Sequence, residues 1–531
     1  MSSKSWWRLN GWVLEPEPST FAPNKKWSNK DMDPVPRGQQ TWTTWNYCAY
    51  WISDAVMSIC SSCHSKLLNF ASWELASSMI AIGLSWRQAL PAIALGHIII
   101  AFVMVLNGTI GARLHVAFPV ITRSSFGFWF SYFAVISRVV LSCFWFAIQT
   151  YVGSECVYQM LKAIWPSTAH IPNHLPASAG ITTVGMMCYF LFWLIQLPFL
   201  LVSPQRIRHL FVLKAAIVPA TWLAILIWAL HRAPPSVSLN QQHSSLTGGA
   251  ASWAWLSSLN NMPRTNEPNM CKSLSSPSRL LWQAFCGMAV ATASEVLYGT
   301  VIWDPLQLID RWDSRAASFF AAFSFTLATL GTNISANSLS AANDMTVLLP
   351  RYINIRRGQI ICAIIGGWAL CPWEILSSAP GFLTFMSGYT VFLGPFAAIM
   401  AVDYWIVHQG KVDVPAMYDY KGRYRYWNGI NWRAVVALLF SVTPSLPGLA
   451  ASINTTIHVG DASHLFDIAW LYGVRTSTFR LGNYADDVQF FTAGVLYWGL
   501  SLLFPAKETY LEEADLGDGS IETESNLETK V

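Results

Sequence analysis

Charge is scarce in this chain. Only 12% of its 531 residues are Asp, Glu, Lys or Arg, about half the fraction usual in a soluble protein. Those charges nearly balance, 33 basic against 29 acidic, which excludes the basic footprint of a nucleic-acid binder. Disulfides are not indicated either: most of the ten cysteines sit singly in apolar runs, so they form no secreted scaffold. No apolar core follows the start of the chain. Residues 1–43 are polar and carry Lys4, Arg8, Lys25, Lys26, Lys30 and Arg37, which excludes a cleavable signal peptide and reads as a cytosolic tail. No His/Asp/Glu cluster has metal or nucleophile spacing, so an enzyme is not expected. Cys60-Ser-Ser-Cys63-His64 fits the haem-attachment pattern C-x-x-C-H, but nothing else in the sequence supplies a haem-sized fold, and no cofactor is expected.

What the chain has is apolar surface. Hydrophobic residues make up 53%, with 27 Trp and 29 Phe, and the mean hydropathy is +0.36. Aromatics crowd membrane interfaces and bundle interiors, and the class is an all-α polytopic membrane protein. A crossing helix needs about twenty mostly apolar residues. Clear candidates are 89–107, 127–160, 184–202, 210–230, 316–336, 359–377, 382–407 and 433–453. Three regions are irregular. Between Tyr47 and Leu84 an apolar run is interrupted by Lys66 and small polar residues over 57–72. Between Trp253 and Leu297 a short apolar stretch gives way at 260–283 to polar, proline-rich sequence. The last run is split at 474–489 by Arg475, Arg480, Asp486 and Asp487. Charges inside a span cost roughly 2.5–3.5 kcal/mol each, so those four do not lie in a lipid-facing helix.

Positive residues should collect on the cytosolic side. With both termini inside and about twelve crossings, Arg113, Arg123, Arg206, Arg208, Arg264, Lys272, Arg279, Arg351, Arg356, Arg357, Lys411, Lys421, Arg423 and Arg425 fall in inner loops. Only Arg87, Lys162, Arg232, Arg311 and Arg315 fall outside. The alternation requires one crossing between 245 and 265, where the residues present do not provide it. The layout expected is a tail over 1–43, a transporter domain over 44–504 and an acidic cytosolic tail over 505–531. Asn454-Thr-Thr lies in a predicted outer loop and is a candidate glycosylation site.

The segments SNKDMDPVPRGQQTW (28–42), FWFAIQTYVG (144–153), LGTNISANSLSAANDMTVLLPRYINIRRGQ (330–359) and FLGPFAAIMAVDYWIVHQGKVDVPAMY (392–418) closely resemble the nucleobase:cation symporter-1 family. The likeness is greatest to its fungal uracil/allantoin branch, which includes thiamine and nucleoside carriers. The resemblance implies a leucine-transporter-like fold: a 5+5 inverted repeat plus two C-terminal helices, with substrate at mid-membrane beside broken helices. It also implies a plasma-membrane importer of a small nitrogenous heterocycle.

Trp145 and Gln149 are four apart and share a helix face. An indole offers a stacking surface and an amide a donor and an acceptor, which suits a small planar heterocycle. Equally, the pair could be a core tryptophan and an interhelical hydrogen bond. The resemblance assigns Trp145, Gln149 and Asn337 to the substrate. It assigns Thr332, with the carbonyls of Ala328, Ser53 and Val56, to a cation, and Phe385 and Met386 to an outer gate. Gly331 stands where sodium-coupled relatives carry a second hydroxyl. A hard cation wants oxygen ligands, so a proton is expected rather than sodium. Intramembrane ionisable groups are functional candidates; here they are Asp54, Arg138 and Glu295.

The irregular regions fall on helices 1, 6 and 12 of the resembled fold. Read literally they remove two walls of the pocket and predict a non-transporting receptor or a decayed gene product. Read as retained introns or misjoined exons they predict an intact permease. Residues 474–489 begin with Val and end with Gln, both compatible with splice boundaries, and removing them restores a continuous apolar helix.

Overall fold

The computed structural model describes residues 12–14, 27–34, 70–81, 83–202, 204–233, 277–377, 379–453, 457 and 489–516. The disrupted stretches 57–69, 260–276 and 474–488, and with them Ser53, Asp54 and Val56, lie outside these residues.

Each clear apolar run coincides with a helix. In chain order these are α1 (Phe70–Ala81), α2 (Trp86–Leu114), α3 (Phe118–Phe126), α4 (Ser131–Ile164), α5 (Thr183–Leu200) and α6 (Pro204–Arg232). There follow α7 (Pro277–Tyr298), α8 (Pro305–Ile309), α9 (Arg315–Thr332), a π-helical segment Asn333–Ser338 and α10 (Leu339–Leu348). The remainder are α11 (Ile355–Trp368), α12 (Ala379–Val402), α13 (Trp432–Val442), α14 (Leu446–Ile453) and α15 (Gln489–Leu503). Among the described residues, Ser131–Ile164, Ala177–Leu200, Arg315–Leu348 and Trp432–Ala451 are each long and apolar enough to cross a bilayer alone. Phe102–Leu114 and Phe118–Phe126 form a pair bent by 105°. Local irregularities mark two of the runs. The run 359–377 is helical to Trp368 and again only over the short Pro372–Ile375, and 433–453 tightens to a 3-10 turn at Thr443–Ser445 within its span. Proline supplies no backbone donor in either place.

The long α4 is the pillar of the bundle. Helices approach it closely where side chains are absent: a Cβ on Gly153 would lie 2.3 Å from the Phe192 ring of α5, and one on Gly366 of α11 would lie 2.9 Å from the Cys143 carbonyl oxygen. Its Arg138 pairs with Asp344 of α10 at 3.0 Å and donates to the Ser340 hydroxyl. At its C-terminal end, Arg315 donates to the carbonyls of Ala163 and Ile164 at 2.8 and 2.7 Å, satisfying groups that a helix end leaves open. Lys162 meets Asp310 at 2.7 Å. Burial alone would raise the Asp310 carboxyl, but hydrogen bonds from Lys162 and Gln159 hold it below its ordinary value.

The opposite end of the bundle is tied together by tail segments. Asn29 donates to the carbonyls of Pro350 and Ile353 at 3.1 and 3.0 Å, Asp31 accepts from the Ile355 amide, and the Tyr418 hydroxyl donates to the Met32 carbonyl. The stretch after α15 also docks. The Val414 amide donates to the Asp515 carbonyl and the Asp515 amide to the Val412 carbonyl, while Arg423 donates to Glu508 and Tyr510 carbonyls. The polar tails predicted from sequence are thus partly structured parts of the fold.

Candidate functional site

Trp145, Gln149 and Asn337 are 5%, 4% and 3% exposed. The first two lie on one stripe of α4, and Asn337 lies in the π-helical segment between α9 and α10. The extra residue per turn in a π segment rotates side chains out of the α register and recurs at functional sites. This segment is fixed directly to α4: Asn333 donates to the Phe146 carbonyl at 3.3 Å and the Thr150 hydroxyl oxygen at 3.2 Å. Phe146 and Thr150 each follow a predicted pocket residue by one position, so the π segment is anchored to the same turns of α4 that carry Trp145 and Gln149. Tyr389 of α12 meets the Trp145 ring edge-on at 6.5 Å. Trp145 belongs to the same buried apolar cluster as Met79 and Ile80 of α1 and Met288 of α7. Trp145 and Gln149 thus share a buried stripe of α4, and Asn337 is buried in the π segment that packs on the same helix.

The polar atoms are unequally engaged. Asn337 donates to the Asn333 side-chain oxygen at 3.0 Å. Gln149 Oε1 is buried and has no hydrogen-bond partner among the described residues. A buried amide without a partner costs about 1–3 kcal/mol, a cost that a ligand with matching groups removes.

The predicted cation position holds a residue that the sequence reading missed. Lys214 of α6 is 2% exposed, and its ammonium donates to the Thr332 hydroxyl across 3.1 Å. It also lies over Gly331, where an added Cβ would stand 2.8 Å from Lys214 Cδ and 3.1 Å from Nζ. The loss of a side chain at Gly331 is therefore matched by a lysine that fills the space. Ala328 is buried on the same helix at 7% exposure. The signal was available: Lys214 is a solitary charge within the apolar run 210–230, and an intramembrane ionisable group marks a functional candidate.

Other sequence candidates separate from this site. Arg138 is engaged with Asp344, and Glu295 is exposed near the end of α7. Phe385 and Met386 fall on α12, with side chains outside the described residues. A cavity of about 350 Å³ lies elsewhere, between the end of α12 and α15, lined by His408, Lys411, Trp498 and Tyr510 among others.

Comparison with known proteins agrees with this architecture. A family model described as permease for cytosine/purines, uracil, thiamine and allantoin matches residues 34–473. The uracil permease of Saccharomyces cerevisiae is 35% identical over 491 residues, covering 85% of this chain and 75% of its own. The allantoin permease of the same yeast is 33% identical over 513 residues, covering 91% and 76%. A nucleobase-cation-symport-1 transporter solved in a closed conformation with bromovinylhydantoin bound superposes with a TM-score of 0.60 at 21% identity, over 90% of this chain and 97% of that one. The shared fold is the leucine-transporter-like one expected from the sequence motifs. The chain belongs to the nucleobase:cation symporter-1 family of membrane permeases.

Proposed function

We propose that this permease imports a small planar nitrogen heterocycle, of the uracil or allantoin kind, together with a proton. Transport proceeds by alternating access across the plasma membrane, with both termini and the docked tail segments on the cytosolic side. The observation that carries the reading is that Trp145, Gln149 and Asn337 are all buried, an aromatic face and two amides with no charged side chain among the three. A neutral heterocycle stacks on the indole and exchanges hydrogen bonds with the amides. Phe385 and Met386 would gate the outer side. A proton is favoured over sodium because Lys214 brings its own positive charge to the Thr332 hydroxyl. An ammonium there replaces a metal ion's charge, and its loss and regain of a proton can be tied to opening. Asp54, in the same sequence stretch as Ser53 and Val56, is the second proton-carrying candidate.

The experiment is uptake of labelled uracil, allantoin and thiamine by cells expressing the full chain, with the proton gradient collapsed in one arm and sodium omitted in another. Accumulation that depends on protons and ignores sodium supports the proposal. Binding without accumulation favours a nutrient receptor on the same scaffold, and thiamine uptake alone favours a thiamine carrier.

A further inference from the structure

The Asn337 amide ends a chain of buried hydrogen bonds whose direction is fixed. The Thr150 hydroxyl donates to the Phe146 carbonyl at 2.7 Å, so its oxygen has only lone pairs left for other partners. It accepts from Gln196 Nε2 at 3.1 Å and from Asn333 Nδ2 at 3.2 Å. With its nitrogen committed there, Gln196 turns its oxygen to Asn333 Nδ2 at 2.9 Å. The Phe146 carbonyl, which cannot donate, also faces Asn333 Nδ2 at 3.3 Å. Turning the Asn333 amide over would set its oxygen against three acceptors at once. Its Oδ1 therefore faces Asn337, which must answer with its nitrogen at 3.0 Å. Thr150, Gln196 and Asn333 are all 0% exposed and Asn337 is 3% exposed, so no bulk water relaxes this ordering.

We propose that Thr150, Gln196 and Asn333 are positioning residues that hold Asn337 with its side-chain oxygen as the end turned away from the relay, so that the site selects heterocycles presenting an N–H donor to it. This rests on Asn337 contacting substrate as proposed above. Gln149 has no such constraint: its amide makes no hydrogen bond to any described residue, and it can turn to suit either a donor or an acceptor on the ligand. The two amides thus divide the work, with Gln149 adapting and Asn337 discriminating. The ligand class that fits is a neutral ring with a lactam, imide or ureide N–H on the edge facing Asn337. The same ring methylated at that nitrogen is rejected, because it both loses the donor and strands a buried oxygen.

The test is competition against labelled uracil uptake by unlabelled uracil, 1-methyluracil and 3-methyluracil, in the full chain and in Thr150→Ser, Thr150→Val and Asn333→Ala. In the parent chain one methyl isomer should compete at least about tenfold less well than the other. Thr150→Ser should keep that ratio. Thr150→Val and Asn333→Ala should collapse it and raise KM, with maximal rate per transporter at the membrane little changed. An unchanged ratio in Asn333→Ala at equal surface amount overturns the proposal. If the parent chain takes up neither uracil nor allantoin, the substrate reading fails on its own, and the relay is decided by thermal unfolding of the purified chain. Thr150→Val and Asn333→Ala must then be strongly non-additive in the double variant; additivity overturns the relay. Thr150→Val is nearly isosteric and guards against a variant that does not fold.

Discussion

The Lys214 ammonium stands 3.1 Å from the Thr332 hydroxyl and against the bare backbone of Gly331, placing a protein-borne cation where the family resemblance implies a transported one. Gly331 and Lys214 are complementary in shape, and a change at either should be felt at the other.

Lys214→Met should therefore abolish proton-driven accumulation while leaving substrate exchange measurable, since the charge is lost but the volume is retained. Lys214→Arg keeps the charge but holds it permanently, and accumulation should fall at least about tenfold, a change of ~1.4 kcal/mol. Gly331→Ser should also inactivate, because its Cβ enters space held by the lysine. Uptake measured against external pH in each variant checks this: a Lys214→Met transporter with parental pH dependence would remove the lysine from the coupling.

A second expectation concerns the ion pair that joins α4 to α10. Asp344 is fully buried and Arg138 stands 3.0 Å away. Removing one partner from a buried pair leaves an uncompensated charge and costs about 3–5 kcal/mol. Asp344→Asn or Arg138→Met alone should lower the thermal midpoint of the purified protein sharply. The double apolar replacement Arg138→Met with Asp344→Leu should recover much of the loss, as measured by thermal unfolding in detergent.

How far the sequence foretold this molecule depends on the kind of signal. Helix positions were legible because length and hydropathy act locally: the apolar runs around Trp145, Gln196 and Phe325 all became helices near their expected limits. Helix ends were less so where proline intervened, as between Trp368 and Pro372. The Trp145/Gln149 stripe was visible from spacing, and Asn337 from a motif. The Asn333–Gln196 bond was not, since it joins positions 137 apart and exists only once three helices have packed. Lys214 was legible as a lone charge in an apolar run, but its partner Thr332 was not, since the two lie 118 positions apart and meet only when α6 packs on α9.

A third prediction is a pH-dependent clasp on the C-terminal stretch. His408, just past α12, directs Nδ1 at the Asp403 carboxylate at 3.2 Å and at the Asp403 carbonyl at 3.1 Å, and Nε2 at the Thr509 hydroxyl oxygen at 2.9 Å. The Thr509 hydroxyl also bonds the Ala506 carbonyl, an arrangement that suits a ring protonated on both nitrogens. Burial opposes that charge, but the neighbouring Asp403 outweighs it and raises His408 above its ordinary value. The carboxylate also accepts from Tyr497 at 2.6 Å and Ser125 at 2.9 Å. A raised value means that the stabilisation is complete below about pH 6.5 and disappears as pH climbs through the higher folded-state value. Hydrogen exchange of the Thr509 and Asp515 amides, corrected for intrinsic rate, should show less protection in alkaline buffer, and His408→Phe should give that low protection at every pH. Parental pH dependence in His408→Phe would assign the effect elsewhere.

The charged stretch 474–489 supplies a fourth. Excising it joins two apolar segments into a helix long enough to span. The excised chain should reach the plasma membrane in greater amount than the parent, as read by a C-terminal fluorescent fusion. Equal surface amount would mean that the charges are accommodated. Full-length transcript sequencing across 54–73, 255–290 and 473–490 tests the same point at its source, and transcripts that restore three clean apolar helices are the expected result.

The measurement that bears most directly on the central claim is labelled-uracil accumulation in proteoliposomes carrying the purified chain, under an imposed proton gradient in one arm and an imposed sodium gradient in the other. A proton gradient, acid outside, should drive accumulation above the equilibrium level, and sodium should not. Accumulation driven by sodium at neutral, matched pH would contradict the account, because it would require a metal ion at the place that Lys214 fills.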